Sequence, residues 1–283
     1  VINVFTGEEV IGRFAYKAQN PTVLQQVSGA YNGDMGVSTS VISSEPCTDK
    51  QLACLLAAEQ ENNTGKEFDL SDQSLALVEF YNRVLGVPAR RGYEKSSDVW
   101  LEDLVVGRKL FIEANCSGCH TPRHVTGEAK GSELGELSIG GLTANTESQH
   151  AESIEILSNQ TIYPYTDLLL HDMGGSCEVT RETDAGLACT SGSECVYVQR
   201  CEGLADGVIQ GDATGTEWKT PALWGLGLVQ TVNKDSSFLH DGRARTIEEA
   251  VLWHDGEAKK SKDTFMNYSK AERKQLLAFL HSL

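Results

Sequence analysis

A mainly α-helical fold is what this sequence predicts, and three observations carry the expectation. Apolar residues recur at helical spacing in "SDQSLALVEFYNRVLGVPARR", in "SSDVWLEDLVVGRKLFIEAN" and in the C-terminal stretch from Ser269. Thr246 with Glu249, and Ser269 with Glu272, stand at capping-box spacing and mark two helix starts. No strand-like alternation persists anywhere in the chain.

Residues 1–46 are rich in Gly, Ser and Val without a sustained helical period. Within them "YNGDMGVSTS" reads as loop, and the segment is expected to wrap the domain that follows. Only six residues, "TDKQLA", separate Cys47 from Cys54, a spacing short enough for a local disulfide clip. Ser71 then caps a helix whose Leu75, Val78, Tyr81, Asn82 and Leu85 fall near one face, and Gly86 and Pro88 stop it. The next helix carries Trp100, Leu101, Leu104, Val105, Leu110 and Phe111 and runs into "NCSGCHTP". From Thr126 to Thr161 the chain is polar and Gly-rich, and "YPYTDLLLHDMGG" follows. Cys177, Cys189, Cys195 and Cys201 crowd together amid Gly, Ser, Thr and Glu, which predicts a surface insertion over 176–206 stapled by two disulfides. Their spacings of 12, 6 and 6 contain no Cys-x-x-Cys pair and no interleaved histidine, so bridges are preferred to a zinc site. A short helix is expected from Ile247, and the last helix should bury Leu276, Leu277 and Leu280.

Cys116-Ser117-Gly118-Cys119-His120 is a c-type haem attachment motif. Cys116 and Cys119 would form the thioether bonds, and His120 would bind the iron from the proximal side. One such motif predicts one covalently attached haem c. A helix leading straight into the motif is the order found at the start of cytochrome c domains. The fold expectation is therefore a mainly α, class I cytochrome c-like haem domain with long loops over 96–283, behind an N-terminal extension and helical segment over 1–95.

Charge and cysteine content narrow the setting. The 24 basic and 40 acidic residues leave a formal charge of −16, which argues against nucleic acid as a partner. The same charge supports solubility, and it would also suit docking of a basic electron carrier. Six cysteines lie outside the haem motif, an even number that fits three disulfides. Disulfides and covalent haem together point to the periplasm or cell exterior. The chain opens on "VINVFTGEEV" without a signal-peptide pattern, which reads as a mature or truncated product. No apolar run reaches the roughly 18 residues of a membrane span.

The second axial ligand has two candidates on the residues alone. Among Met35, Met173 and Met266, Met173 stands at a plausible loop distance after His120, and His254 is its rival. His171 and His240 read as hydrogen-bonding groups, and His124, His150 and His281 as solvated. Trp218, Trp224 and Trp253 read as packing. Arg123, Lys219, Arg243 and Arg245 are candidate partners for haem propionates. No catalytic residue is assigned.

"GRFAYKAQNPTVLQQVSGAYNGDMG", "YPYTDLLLHDMG", "EWKTPALWGLG" and "FLHDGRARTIEEAVLWHDGEA" resemble the bacterial di-haem c-type thiol oxidoreductase/peroxidase family and, more distantly, the second haem domain of di-haem cytochrome c peroxidases. The resemblance covers most of the chain outside Cys177–Cys201. It implies a sixth ligand at the end of the helix capped by Thr246, which falls on His254. Iron would then be held by His120 and His254. Family members usually carry an additional Cys-x-x-Cys-His upstream, and this chain has none. The expected function is electron transfer through one His/His-ligated haem c, with small electron carriers or a further haem domain as redox partners. A peroxidase or oxidase acting with a haem domain missing from this chain is the alternative, and a purely structural haem domain is a third reading.

Overall fold

The computed structural model describes residues 1–64, 68–129, 138–139, 142–143 and 157–283. Most of the polar stretch after Thr126, His150 included, lies outside the described residues.

The mainly α, class I cytochrome c-like expectation is overturned. Among the described residues the helices are interleaved with ten strands, which pair into five two-stranded antiparallel sheets. Most of these strands are two or three residues long, formed where loops double back. Ladders that short leave no period-2 signal in a sequence.

Two compact units make up the chain. The first comprises Val1–Ala15, Gln19–Gly86 and His124–Ile162. Its helix α1, Val23–Met35, runs through part of the "YNGDMGVSTS" stretch expected to be loop. Thr22 caps it by accepting from the Gln25 N–H, and Gly36 ends it at φ +68°, a conformation that costs glycine little. Gly29 and Gly33 dilute the apolar pattern, yet Leu24, Val27 and Ser28 still form a buried stripe. The Cys47–Cys54 disulfide forms as expected and precedes α2, Leu52–Thr64. In α3, Asp72–Val84, Ser71 caps as expected, but the buried face runs through Leu75, Ala76 and Glu79 while Tyr81 and Leu85 are exposed. Leu24, Val27 and Leu75 meet in the small core between α1 and α3.

The second unit comprises Tyr16–Ala18, Val87–Arg123 and Tyr163–Leu283. Helix α4, Glu102–Glu113, starts late because Val99–Trp100 pair as a strand with Tyr93–Glu94. Its Leu104, Leu110 and Phe111 are buried, whereas Leu101 and Val105 are exposed. After α5, Val229–Val232, and α6, Ile247–Trp253, come α7, Lys259–Asn267, and α8, Lys270–Ser282. The Ser269/Glu272 capping box closes in both directions. Around Thr246 only half of the box forms, since Glu249 accepts from the Arg245 N–H instead.

Helix α4 packs on α8, and Gly107 permits the close approach: a Cβ there would stand 2.8 Å from that of Phe279 and collide with the Gln275 carbonyl. The core contains Leu110, Phe111, Tyr165, Ile247, Phe265, Leu276, Phe279 and Leu280. Leu277, expected there, is only partly buried.

The cysteine-rich insertion is a β-ribbon, Ser176–Glu182 against Val196–Glu202. Cys177 pairs with Cys201 directly across the ribbon, and Cys189 with Cys195 in its connecting loop. Val179, Thr180, Val196, Tyr197 and Val198 favour extended backbone, a signal outweighed at the sequence level by the surrounding Gly, Ser and Thr.

Candidate haem centre

The Cys-x-x-Cys-His segment is shaped by the end of α4. Asn115 takes φ +60°, which asparagine tolerates better than most residues, and turns the chain into a 3₁₀ turn over Cys116–Gly118. The N–H groups of Cys119 and His120 both reach the Cys116 carbonyl, the latter at 2.9 Å. One tight turn thus gathers both thiols and the imidazole.

His120 is oriented from below. Its Nδ1 donates to the Tyr165 carbonyl at 3.0 Å. Tyr165 is buried at φ +54°, a strained conformation for an aromatic residue, and the Thr166 N–H to Thr121 carbonyl bond at 3.0 Å ties it to the motif. Phe111 and Phe279 pack on Tyr165 with centroids 6.0 and 5.7 Å away.

His254 is oriented by the end of α6. It is the C-cap residue, and its Nδ1 donates at 2.8 Å to the carbonyl of Ala250, one of the last-turn acceptors left without a helical partner. The His120 and His254 ring centroids lie 6.4 Å apart, with the ring planes tilted at 50°. A metal–imidazole nitrogen bond is about 2.0–2.1 Å, and the nitrogen stands about 1.2 Å from its ring centroid. Two such rings sharing one ion would have centroids at most about 6.4–6.6 Å apart, so the observed separation lets a single ion reach both. In both histidines Nδ1 is engaged by a carbonyl, so Nε2 is the nitrogen that could ligate a metal.

Electrostatics support neutral imidazoles. Burial, followed by the neighbouring His254, pulls His120 down to about 4. Burial also lowers His254, against the opposing effect of the Ala250 carbonyl. A neutral imidazole is the form that binds a metal. Burial pushes the Cys116 thiol up to about 12, and burial with the Asp167 and Glu257 charges raises Cys119. Neither is a reactive thiolate at neutral pH, and the other six cysteines are paired. The residues present fit a haem bound through Cys116, Cys119, His120 and His254.

The other sequence candidates fall around this centre or away from it. Met173 is partly buried in the turn after Leu170–Asp172, where its N–H donates to the Thr216 carbonyl. His171 donates to Asp167 and Glu257 at 2.9 and 2.8 Å, in agreement with its hydrogen-bonding reading. His240 stacks on Trp218 at 3.6 Å. Among the propionate candidates, Arg243 is held by Asp241 and the Gly203 carbonyl, Arg245 is exposed beside Glu249, and Arg123 is exposed. Lys219 is half-buried, and its desolvation lowers its pKa. Tyr165, Asp167, Ala250 and Glu257 were not legible as site residues. Two act through main-chain carbonyls, which carry no sequence signal, and two are ordinary-looking carboxylates.

One comparison, the family match, agrees with haem chemistry. The family model described as "Di-haem oxidoreductase, putative peroxidase" matches residues 7–186 and 192–283. No curated protein gives a significant match. A solved structure of hydrazine synthase from Kuenenia stuttgartiensis is similar at 14% identity and a TM-score of 0.41. That alignment covers 82% of this chain and 62% of the other, so the chain spans less than two thirds of its structural relative.

Proposed function

Since the chain belongs to the di-haem oxidoreductase family, we propose that its second unit carries one haem c and transfers single electrons. Cys116 and Cys119 would tether the group, and His120 and His254 would hold its iron. When bound, haem supplies a one-electron iron couple whose potential follows its axial ligands. Ligation by two imidazoles would favour low-spin iron and a comparatively low potential. The observation that carries this reading is the close His120–His254 pair, each ring bonded through Nδ1 to a carbonyl.

The protein's own contribution is positional. Carbonyls of Tyr165 and Ala250 orient the two rings. The formal charge of −16 suits a basic redox carrier, or docking of a further haem domain through complementary charge. Three disulfides support a setting in the periplasm or outside the cell, where such bonds persist. Among the described residues, no helix is long and apolar enough to cross a membrane. The family description favours peroxidase activity as the second reading, which would require His254 to leave or another haem to meet peroxide.

Optical and EPR spectra of the oxidised, haem-loaded protein test the assignment. The expected wild type is low-spin. His254→Ala should turn it high-spin and admit cyanide, and Met173→Leu should change nothing. A red-region band of Met–iron ligation lost in Met173→Leu would overturn the ligand pair. A high-spin wild type with fast peroxide turnover would transfer the reading to peroxidase.

A further inference from the structure

His171 lies between the segments that serve the two faces of the candidate iron site. Its Nε2 donates to Asp167 Oδ2 at 2.9 Å, two residues beyond the Tyr165 carbonyl that orients His120. Its Nδ1 donates to Glu257 Oε2 at 2.8 Å, three residues beyond His254. The other Glu257 oxygen accepts from the Asp172 N–H at 3.1 Å, so this carboxylate grips both a side chain and the backbone of one strand. Cys119 Sγ stands 3.6 Å from His171 Nδ1, which brings the contact to the edge of the attachment motif.

The backbones meet at the same place. Gly174 and Gly256 have φ of +69° and +55°, and a Cβ on Gly174 would lie 2.9 Å from the Gly256 nitrogen. Only glycines allow the turn after His171 to seat against the turn after His254. Cys119, Asp167 and His171 could otherwise suggest a small metal site. Thioether formation at Cys119 removes its thiolate, and the two His171 nitrogens are already committed to carboxylates.

We propose that His171, through Glu257 and Asp167, is a positioning residue that holds His254 against the iron face opposite His120. On this inference, which rests on the His120/His254 reading, α6 alone does not fix the distal ligand. Helix α6 has only seven residues and an unclosed capping box, whereas the Glu257 clasp anchors the chain just past the ligand to a paired strand. Burial opposes charge on His171, but the hydrogen bonds it donates to Glu257 and Asp167 outweigh it and raise its pKa, in keeping with a charged clasp.

The test uses haem-loaded protein and cyanide as the probe of an open iron face. Glu257→Ala should add a high-spin component to the EPR spectrum and raise the cyanide association rate about tenfold or more, the scale of one lost charge-assisted hydrogen bond. Glu257→Gln, which keeps its volume and one acceptor, should show a smaller rise. His171→Ala should match Glu257→Ala, and the double variant should add little. Asp263→Ala, which breaks only the exposed Lys259–Asp263 pair, should leave both readouts unchanged. Clasp variants with the wild-type spectrum and cyanide rate would overturn the clasp while leaving the ligand pair intact. A wild type that is itself high-spin would remove the ligand pair and the clasp with it.

Discussion

Replacing Phe279 probes whether the aromatic core supports the proximal ligand. Phe279 is fully buried, 5.4 Å from Phe111 and 5.7 Å from Tyr165 between centroids, with the Arg90 guanidinium 4.9 Å over its ring. Phe279→Ala removes a whole ring from a closed site, and such truncations cost about 3–5 kcal/mol. Relaxation is restricted here because Gly107 already brings α4 against the Phe279 Cβ, which favours the upper half of that range. Phe279→Leu retains most of the volume but loses two aromatic contacts at about 0.5–1.5 kcal/mol each, predicting a loss of about 1–3 kcal/mol. Urea unfolding followed by far-ultraviolet circular dichroism and by the haem Soret band would measure both variants. The Soret transition should move at least as far as the backbone transition, because Tyr165 rests on this ring and its carbonyl orients His120. A Phe279→Ala protein less than about 1 kcal/mol weaker than wild type would refute this account of the core.

Gly107→Ala should destabilise the α4–α8 contact by about 1–3 kcal/mol through overpacking, measured by the same unfolding curves. Replacing Cys177 and Cys201 with Ser should loosen the β-ribbon by up to about 3.5 kcal/mol on chain entropy, seen as faster hydrogen exchange there, with the haem spectrum unchanged. Thiol titration of unfolded, unreduced, haem-loaded protein should find almost no free thiol, and two or more would break the disulfide assignment. The His171 clasp also makes a pH prediction. The raised His171 pKa contributes stability that is full below about 6.5 and lost as pH rises through the folded value. The lowered Asp167 and Glu257 values contribute stability present above about 4 and lost in acid. The stability gap between wild type and His171→Gln should therefore peak near pH 5–6, and a flat gap from pH 4 to 9 would contradict it.

Local, covalent and capping features were the most legible. The attachment motif, the Ser71, Thr246 and Ser269 caps and the Cys47–Cys54 clip could be read because neighbours in sequence make them. His254 emerged through family resemblance, since nothing in "VLWHDG" alone distinguishes a ligand from a surface histidine. Helix α1 was missed because two glycines interrupt its pattern, and the small sheets because two-residue ladders depend on tertiary approach. The Tyr165 carbonyl was illegible for a stronger reason: its direction is set by a backbone angle that an aromatic residue rarely adopts.

That last feature bears on how the centre can diverge. Both candidate ligands take their orientation from peptide oxygens, at Tyr165 and Ala250, and every amino acid supplies a peptide oxygen. No single codon change can delete either anchor; a mutation reaches them only by bending the chain. These two acceptors are thereby buffered against substitution, and inherited variation should accumulate instead in the side chains around them, the His171–Glu257 contact and the Phe279 wall among them.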